Sequence, residues 1–202
     1  MKLNANTTLK GQKVILVPYR NEHVARYHEW MQDPALQEAT ASEPLSLEEE
    51  YDMQRKWAED DDKCTFILLD RSQADTPGTG SHGGGMAGDV NFFFNDHDDH
   101  TIAEAEVMVA EPASRRQGLA LEALQLFMAY GVKFLGVTKF RVKIGENNAA
   151  SVALFSRKLG FVEVSRSAVF KEVTLELAVE GEVAQQLQEA GEQLKLGRYD
   201  NA

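Results

Sequence analysis

A chain of 202 residues with 43% hydrophobic and 26% charged content has room for one well-buried domain, is short for two, and has the composition of a soluble globular protein. Its formal net charge of -11 excludes nucleic acid as the main partner, since that partner needs a basic footprint, and suits cationic or amine-bearing partners instead. The single cysteine, Cys64, cannot close an internal disulfide, no apolar run approaches membrane-spanning length, and residues 1–6 lack the apolar core of a signal peptide, so a cytoplasmic protein with no membrane partner is expected.

In chain order, residues 13–18 read as a first strand closed by proline, and residues 21–31 as a helix capped by Asn21 with Val24, Tyr27 and Met31 at helical spacing. His23 and His28 are five apart and do not share a helix face, which speaks against a metal pair. Ser46-Leu47-Glu48-Glu49 has capping-box spacing and opens a second helix to about Trp57, with residues 40–44 an exposed loop before it. Residues 64–69 form a second strand that buries the Cys64 thiol. Residues 70–85, which include Pro77, Gly78, Gly80 and Gly83 to Gly85, read as a flexible glycine-rich loop without the lysine and helix of a P-loop. Residues 86–94 make a third strand, with Gly88 marking a bulge.

Asp96-His97-Asp98-Asp99-His100 reads as a solvated turn rather than a divalent-metal site, so no metal is expected. The fourth strand, 101–110, alternates: Ala103, Ala105, Val107 and Val109 on one face, Glu104, Glu106 and Met108 on the other. It runs into a turn with Arg115, Arg116 and Gly118, then a helix with Ala120, Leu124, Phe127 and Met128 on one stripe, ending near Gly136. Strand, basic turn and helix in that order suit an anionic phosphate group, because the first helix amides have no internal partner and carry partial positive charge. Gly118, without a side chain, admits close approach to the main chain. Residues 139–144 are a fifth strand. Asn148 caps a helix with Val152, Phe155 and Leu159 on one face and Gly160 at its stop, and 161–165 with 169–179 make a final hairpin. One domain is expected over 1–180. In the polar tail 181–202, Val183, Leu187, Ala190 and Leu194 leave a weak docking helix and a frayed end both open.

The spacing Arg-x-x-Gly-x-Ala at Arg115, Gly118 and Ala120 resembles the signature of the GCN5-related N-acetyltransferases, and the stretch from Asn148 to Phe161 resembles their second acetyl-CoA motif. Blocks at 1–4, 27–31, 40–45, 62–67, 88–91 and 170–175 further resemble the eukaryotic N-acetyltransferase 9-like family, from the first residue to about Val179. The resemblance implies an α/β acyl-CoA N-acyltransferase fold, with a mixed seven-stranded sheet flanked by about four helices. It also implies acetyl-CoA as cosubstrate, no metal, and a protein or peptide amine as acceptor, the N-terminal residues of α- and β-tubulin. Met108, Val109 and Ala110 would pair with the pantetheine arm, and the amides of Arg116, Gln117, Gly118, Leu119 and Ala120 would hold the pyrophosphate. Asn148 and Ser151 would steady the pantetheine from the other side. Coenzyme A is polyanionic, and Arg115 and Arg116 are the obvious local basic patch on this acidic chain.

A peptide's N-terminal α-amine ordinarily loses its proton at about pH 8 and needs modest help to become nucleophilic. Glu104 and Glu106 share a strand face and are the candidate bases, Glu104 matching the family position better; both also read as ordinary exposed carboxylates. Transfer would be direct, without an acetyl-enzyme. Many relatives carry a tyrosine seven residues after the capping asparagine to protonate the leaving thiolate, whereas this chain has Phe155, leaving water, Tyr130 or no acid at all. That departure keeps open a catalytically weak protein of the same fold that binds and stabilises a partner such as microtubules, and the acidic charge keeps open a small-amine acetyltransferase. The sequence does not set the oligomeric state.

Overall fold

The computed structural model describes residues 2–76 and 82–201. Among them are nine strands and six α-helices in an α/β arrangement with a mixed sheet. The expected seven strands and four helices gain β1 (Thr7–Lys10), β9 (Leu196–Arg198), α2 (Pro34–Ala39) and α6 (Gly181–Glu192). The two extra strands are three and four residues long, too short to show a period, and are strands because they pair with each other, Thr7 opposite Arg198. In the tail, α6 takes the helical alternative over the frayed one.

By contacts the chain divides into two compact units, and β4, β5 and α4 have residues in both. The first takes the described residues up to Asn91, Val107–Leu124 and those from Lys195 on. Its strands run β9, β1, β2 (Val14–Pro18), β3 (Lys63–Asp70), β4 (Gly85–Phe93) and the end of β5 (Ile102–Val109). β2 pairs antiparallel with β1 and β3, placing Leu16 opposite both Leu9 and Leu68, and every residue of β2 and β3 is buried. Such unbroken burial explains why these strands read as apolar runs.

Asn21 is not the helix cap. It lies in a 3-10 turn (Asn21–His23) before α1 (Val24–Trp30), and His23 Nδ1 accepts the Arg20 amide at 3.0 Å. The apolar face expected for this helix is present, with Val24, Tyr27 and Met31 buried. The capping box of α3 (Leu47–Glu59) is formed, Glu49 N donating to Ser46 Oγ at 3.3 Å and Ser46 N to Glu49 Oε2 at 2.8 Å. Of the loop expected at 70–85, Asp70 ends β3 and Gly85 opens β4; Pro77, Gly78 and Gly80 lie outside the described residues.

His23 is fully buried, and burial pushes its pKa down to about 4. The folded protein therefore holds it neutral, while the unfolded chain takes up a proton below about 6.5. Stability from this residue is full above that pH and is lost as the pH falls towards 4, about 3 kcal/mol in all. Thermal melts are expected to show a larger fall in Tm between pH 7.5 and 4.5 for the native protein than for His23→Asn, and equal falls would refute the assignment.

The second unit takes Phe92–Glu106 and Gln125–Leu194. Its strand order is β4, β5, β6 (Lys139–Gly145), β8 (Glu172–Ala178), β7 (Val162–Ser167). β5 and β6 are parallel while β6–β8 and β7–β8 are antiparallel, and Val173, Leu175 and Leu177 alternate inward as their spacing requires. Phe92 stacks on Phe127 at 3.6 Å between ring centres, with Phe140 at 5.5 Å. α5 (Ala149–Ala153) does not continue to Leu159 as an α-helix but widens into a π turn (Leu154–Lys158), stopped by Gly160 at φ 79°. In the Asp96 to His100 stretch, Asp96 pairs with Arg141 at 3.0 Å and Asp99 accepts from Thr101 Oγ1 at 2.6 Å. Among the described residues no cluster is placed to hold a metal, and no helix is long and apolar enough to cross a membrane.

Candidate functional site

The end of β5 departs from the simple alternation. Ala103 and Ala105 are buried, but further on it is Met108 and Ala110 that are buried, with Val107 and Val109 only partly so. A change of parity needs one residue out of the pleat, here between Ala105 and Met108; further along the same strand, Ala110 N and Glu111 N both donate to the Ala87 carbonyl, at 2.8 and 3.1 Å. The irregularity expected at Gly88 thus falls on the opposite strand. Gly88 provides the space: a Cβ there would stand 1.8 Å from the Met108 carbonyl oxygen.

The turn that follows is anchored at each step. Glu111 accepts from Trp30 Nε1 at 2.6 Å and from Arg26, which ties the start of the turn to α1. Pro112–Ser114 form a single 3-10 turn, and the buried Ser114 hydroxyl donates to Asp70 Oδ2 at 2.6 Å. Burial works against ionisation of Asp70, but the Ser114 and Ser72 hydroxyls and the Ser72 amide hold its carboxyl below the usual range. Arg116 and Gly118 then take left-handed φ values of 61° and 85°, and α4 (Leu119–Leu135) begins. Gly118 adopts that conformation without strain, and the first α4 amides are left without partners inside the helix.

Arg115 also has a role in the turn itself. Its guanidinium donates to Val109 O at 2.9 Å and Ala110 O at 2.8 Å, which ties the turn back to the end of β5. Arg116 is exposed. A further cation, missed in the sequence, is Lys13: its Nζ donates to Gln117 O at 2.8 Å and lies 3.2 Å from where a Gly118 Cβ would be. Glu122, also missed, accepts the amides of Gln12, Lys13 and Val14 at 2.8, 2.7 and 3.0 Å, fixing the first turns of α4 to the start of β2. Neither residue carried a local signal, because each partner lies over one hundred positions away.

Met108, Val109, Ala110, Arg115, Arg116, Gln117, Gly118, Leu119 and Ala120 all belong to the first unit; Glu104, Glu106, Asn148, Ser151 and Phe155 belong to the second. Glu104 is held by Lys143 Nζ at 2.8 Å, and Glu106 is exposed. Asn148 Oδ1 accepts the Ser151 amide at 3.1 Å, the cap expected of it. Phe155 is buried with its ring 5.1 Å from Phe161, and Tyr130 is buried on α4. Cys64 is inert, fully buried with its thiol pushed up to about 12 by that burial.

A model of the acetyltransferase (GNAT) domain matches residues 13–162. The chain is 55% identical over 179 residues to the alpha/beta-tubulin-N-acetyltransferase 9 of Mus musculus, covering 89% of this chain and 74% of the relative. It is 54% identical over 175 residues to an N-acetyltransferase 9-like protein of Nematostella vectensis, covering 87% of each. In fold it is similar to the spermidine N-acetyltransferase of Vibrio cholerae, solved in complex with CoA and spermine: the TM-score is 0.68 at 16% identity, over 83% of this chain and 96% of that one.

Proposed function

We propose, from the premise that the chain belongs to the acetyltransferase (GNAT) family, that this N-acetyltransferase moves the acetyl group of acetyl-CoA onto the N-terminal α-amine of a cytoplasmic protein, α- or β-tubulin. The observation that carries the donor half is the turn ending at Gly118, whose φ of 85° opens α4 with its first amides unpartnered within the helix, beside the ammonium of Lys13. Tubulin as acceptor is supported by the names of close relatives and by nothing in the geometry.

The amine nitrogen attacks the thioester carbon, the C–S bond breaks, the coenzyme leaves as its thiolate, and the nitrogen's second proton passes to water as the amide forms. The ammonium proton must go first, and Glu104 or Glu106 is assigned to take it, directly or through a water. Those assignments, with Asn148 and Ser151 on the pantetheine and Met108 to Ala110 pairing with it, rest on the family resemblance. Phe155, buried and unable to donate a proton, supports a second reading in which catalysis is weak and the protein acts by docking to a partner.

Labelled acetyl-CoA incubated with peptides of the tubulin N-termini, and separately with spermidine, tests these readings. Label is expected on the peptide α-amine, falling at least about tenfold in an Arg115→Ala/Gly118→Val variant. Glu104→Gln is expected to move the rise of rate with pH towards about 8, the range of the free amine. Peptide labelling unchanged in the double variant, or label on spermidine alone, would overturn the proposal; no transfer at all would favour the docking reading.

A further inference from the structure

Beside the Gly118 turn, within the first unit, lies an open hollow of about 390 Å³ bordered by Lys13 and Arg71, by Gln12, Ser72, Gln117 and Leu119, and by the carboxylate-bearing Asp70. We infer that this hollow takes the 3′-phosphorylated adenosine end of coenzyme A, with Lys13 and Arg71 neutralising the 3′-phosphate. The inference rests on the acetyl-CoA reading above and names residues outside the family signature.

Charge sets the hollow apart. Lys13 Nζ is held by Gln117 O at 2.8 Å, and Arg71 Nη1 by Gly11 O at 2.7 Å and Gln12 O at 3.1 Å, so both cations are fixed by neutral carbonyls. Their own backbones are joined, Arg71 N donating to Lys13 O at 2.9 Å. Two carboxylates stand nearby, yet neither forms an ion pair with them among the described residues. Asp70 accepts from Ser72 and Ser114, and Glu122 accepts three backbone amides of the β2 start. On a chain of net charge -11, two positioned cations are thus left without an acidic partner at one place.

That place is set by the fold. The Lys13 ammonium lies against the Gly118 turn, so a group bound there sits directly beside a diphosphate held by the turn. Coenzyme A carries such a group, the 3′-phosphate on the ribose next to its diphosphate. Arg71 offers the planar fork that matches phosphate oxygens, and Lys13 the compact charge. The volume falls at the lower end of the range for ligand pockets, which suits a nucleoside end that stays partly in solvent.

Calorimetric titration with coenzyme A and with 3′-dephospho-coenzyme A separates this idea from the acetyl-CoA reading on which it rests. The native protein is expected to bind coenzyme A at least about tenfold more tightly than the dephospho form. Arg71→Met should lose most of that ratio while its affinity for the dephospho form stays within about twofold, and Lys13→Arg, which keeps the charge, should keep the ratio. Equal affinity of the native protein for the two ligands would overturn the inference but leave the donor reading intact. A loss that is the same for both ligands in the variants would also overturn it, since the cations would then serve the diphosphate or the turn. Binding of neither ligand would overturn both.

Discussion

Gly88→Ala is expected to destabilise the protein by more than about 3 kcal/mol, a fall in Tm of roughly 10 °C, because the added methyl has nowhere to go. A Cβ at this position would stand 1.8 Å from the Met108 carbonyl oxygen, 2.8 Å from its carbonyl carbon and 3.0 Å from the Val109 Cα. All three are backbone atoms, so no rotamer change relieves the overlap, and the strand itself has to move. That strand is held at its end by Ala110 and Glu111 on the Ala87 carbonyl, one residue before Gly88. Since Met108 to Ala110 are the residues assigned to the donor's pantetheine, acetyl transfer should fall with stability. Gly145→Ala is the control. No atom lies within 4 Å of its Cβ position, and it should change stability by less than about 0.5 kcal/mol. Urea and thermal denaturation read both, and a Gly88→Ala protein as stable as the control would contradict the close approach.

Asp89→Ala is the second large effect, expected at about 3–5 kcal/mol. Asp89 is 2% exposed, and accepts from Asn91 Nδ2 at 2.8 Å and from the Tyr27 hydroxyl at 3.3 Å, while Thr65 Oγ1 donates onward to Asn91 Oδ1 at 2.6 Å. Burial pushes its carboxyl above the usual range, against the opposing effect of Asn91, Lys63 and Tyr27. Lys63 is itself 3% exposed, its ammonium 3.4 Å from the centre of the Trp57 ring. Removing the carboxylate takes a counter-charge away from a buried ammonium and an acceptor away from two donors. Asp89→Asn should cost less, because the shape and part of the hydrogen bonding remain. The losses of Asp89→Asn and Lys63→Met should combine to less than their sum in the double variant, since Lys63 acts electrostatically on Asp89. Additive losses in the double variant would show that the two groups are not coupled.

What the sequence determined by itself was local. The Ser46–Glu49 box, the Asn148 cap on Ser151, the Gly160 stop and the inward alternation of Val173, Leu175 and Leu177 all join residues within a few positions of one another. For such contacts the chain's own geometry brings the partners together, so residue type and spacing suffice. The spacing of Arg115, Gly118 and Ala120 belongs to the same class, and the family was legible from it.

Tertiary structure decided who meets that turn. Arg115 has the chemistry to grip phosphate or carbonyl equally, and only the path of β5 shows it on Val109 and Ala110. Lys13, Glu122 and Trp30 reach the turn or its helix across 104, 108 to 110 and 81 positions, and β1 became a strand only through its pairing with β2 and β9. A side chain's type states which bonds it is able to make. Which partner stands within 3 Å of it is a property of the folded path, because the strength of a hydrogen bond or charge contact depends on distance in space and not on separation along the chain.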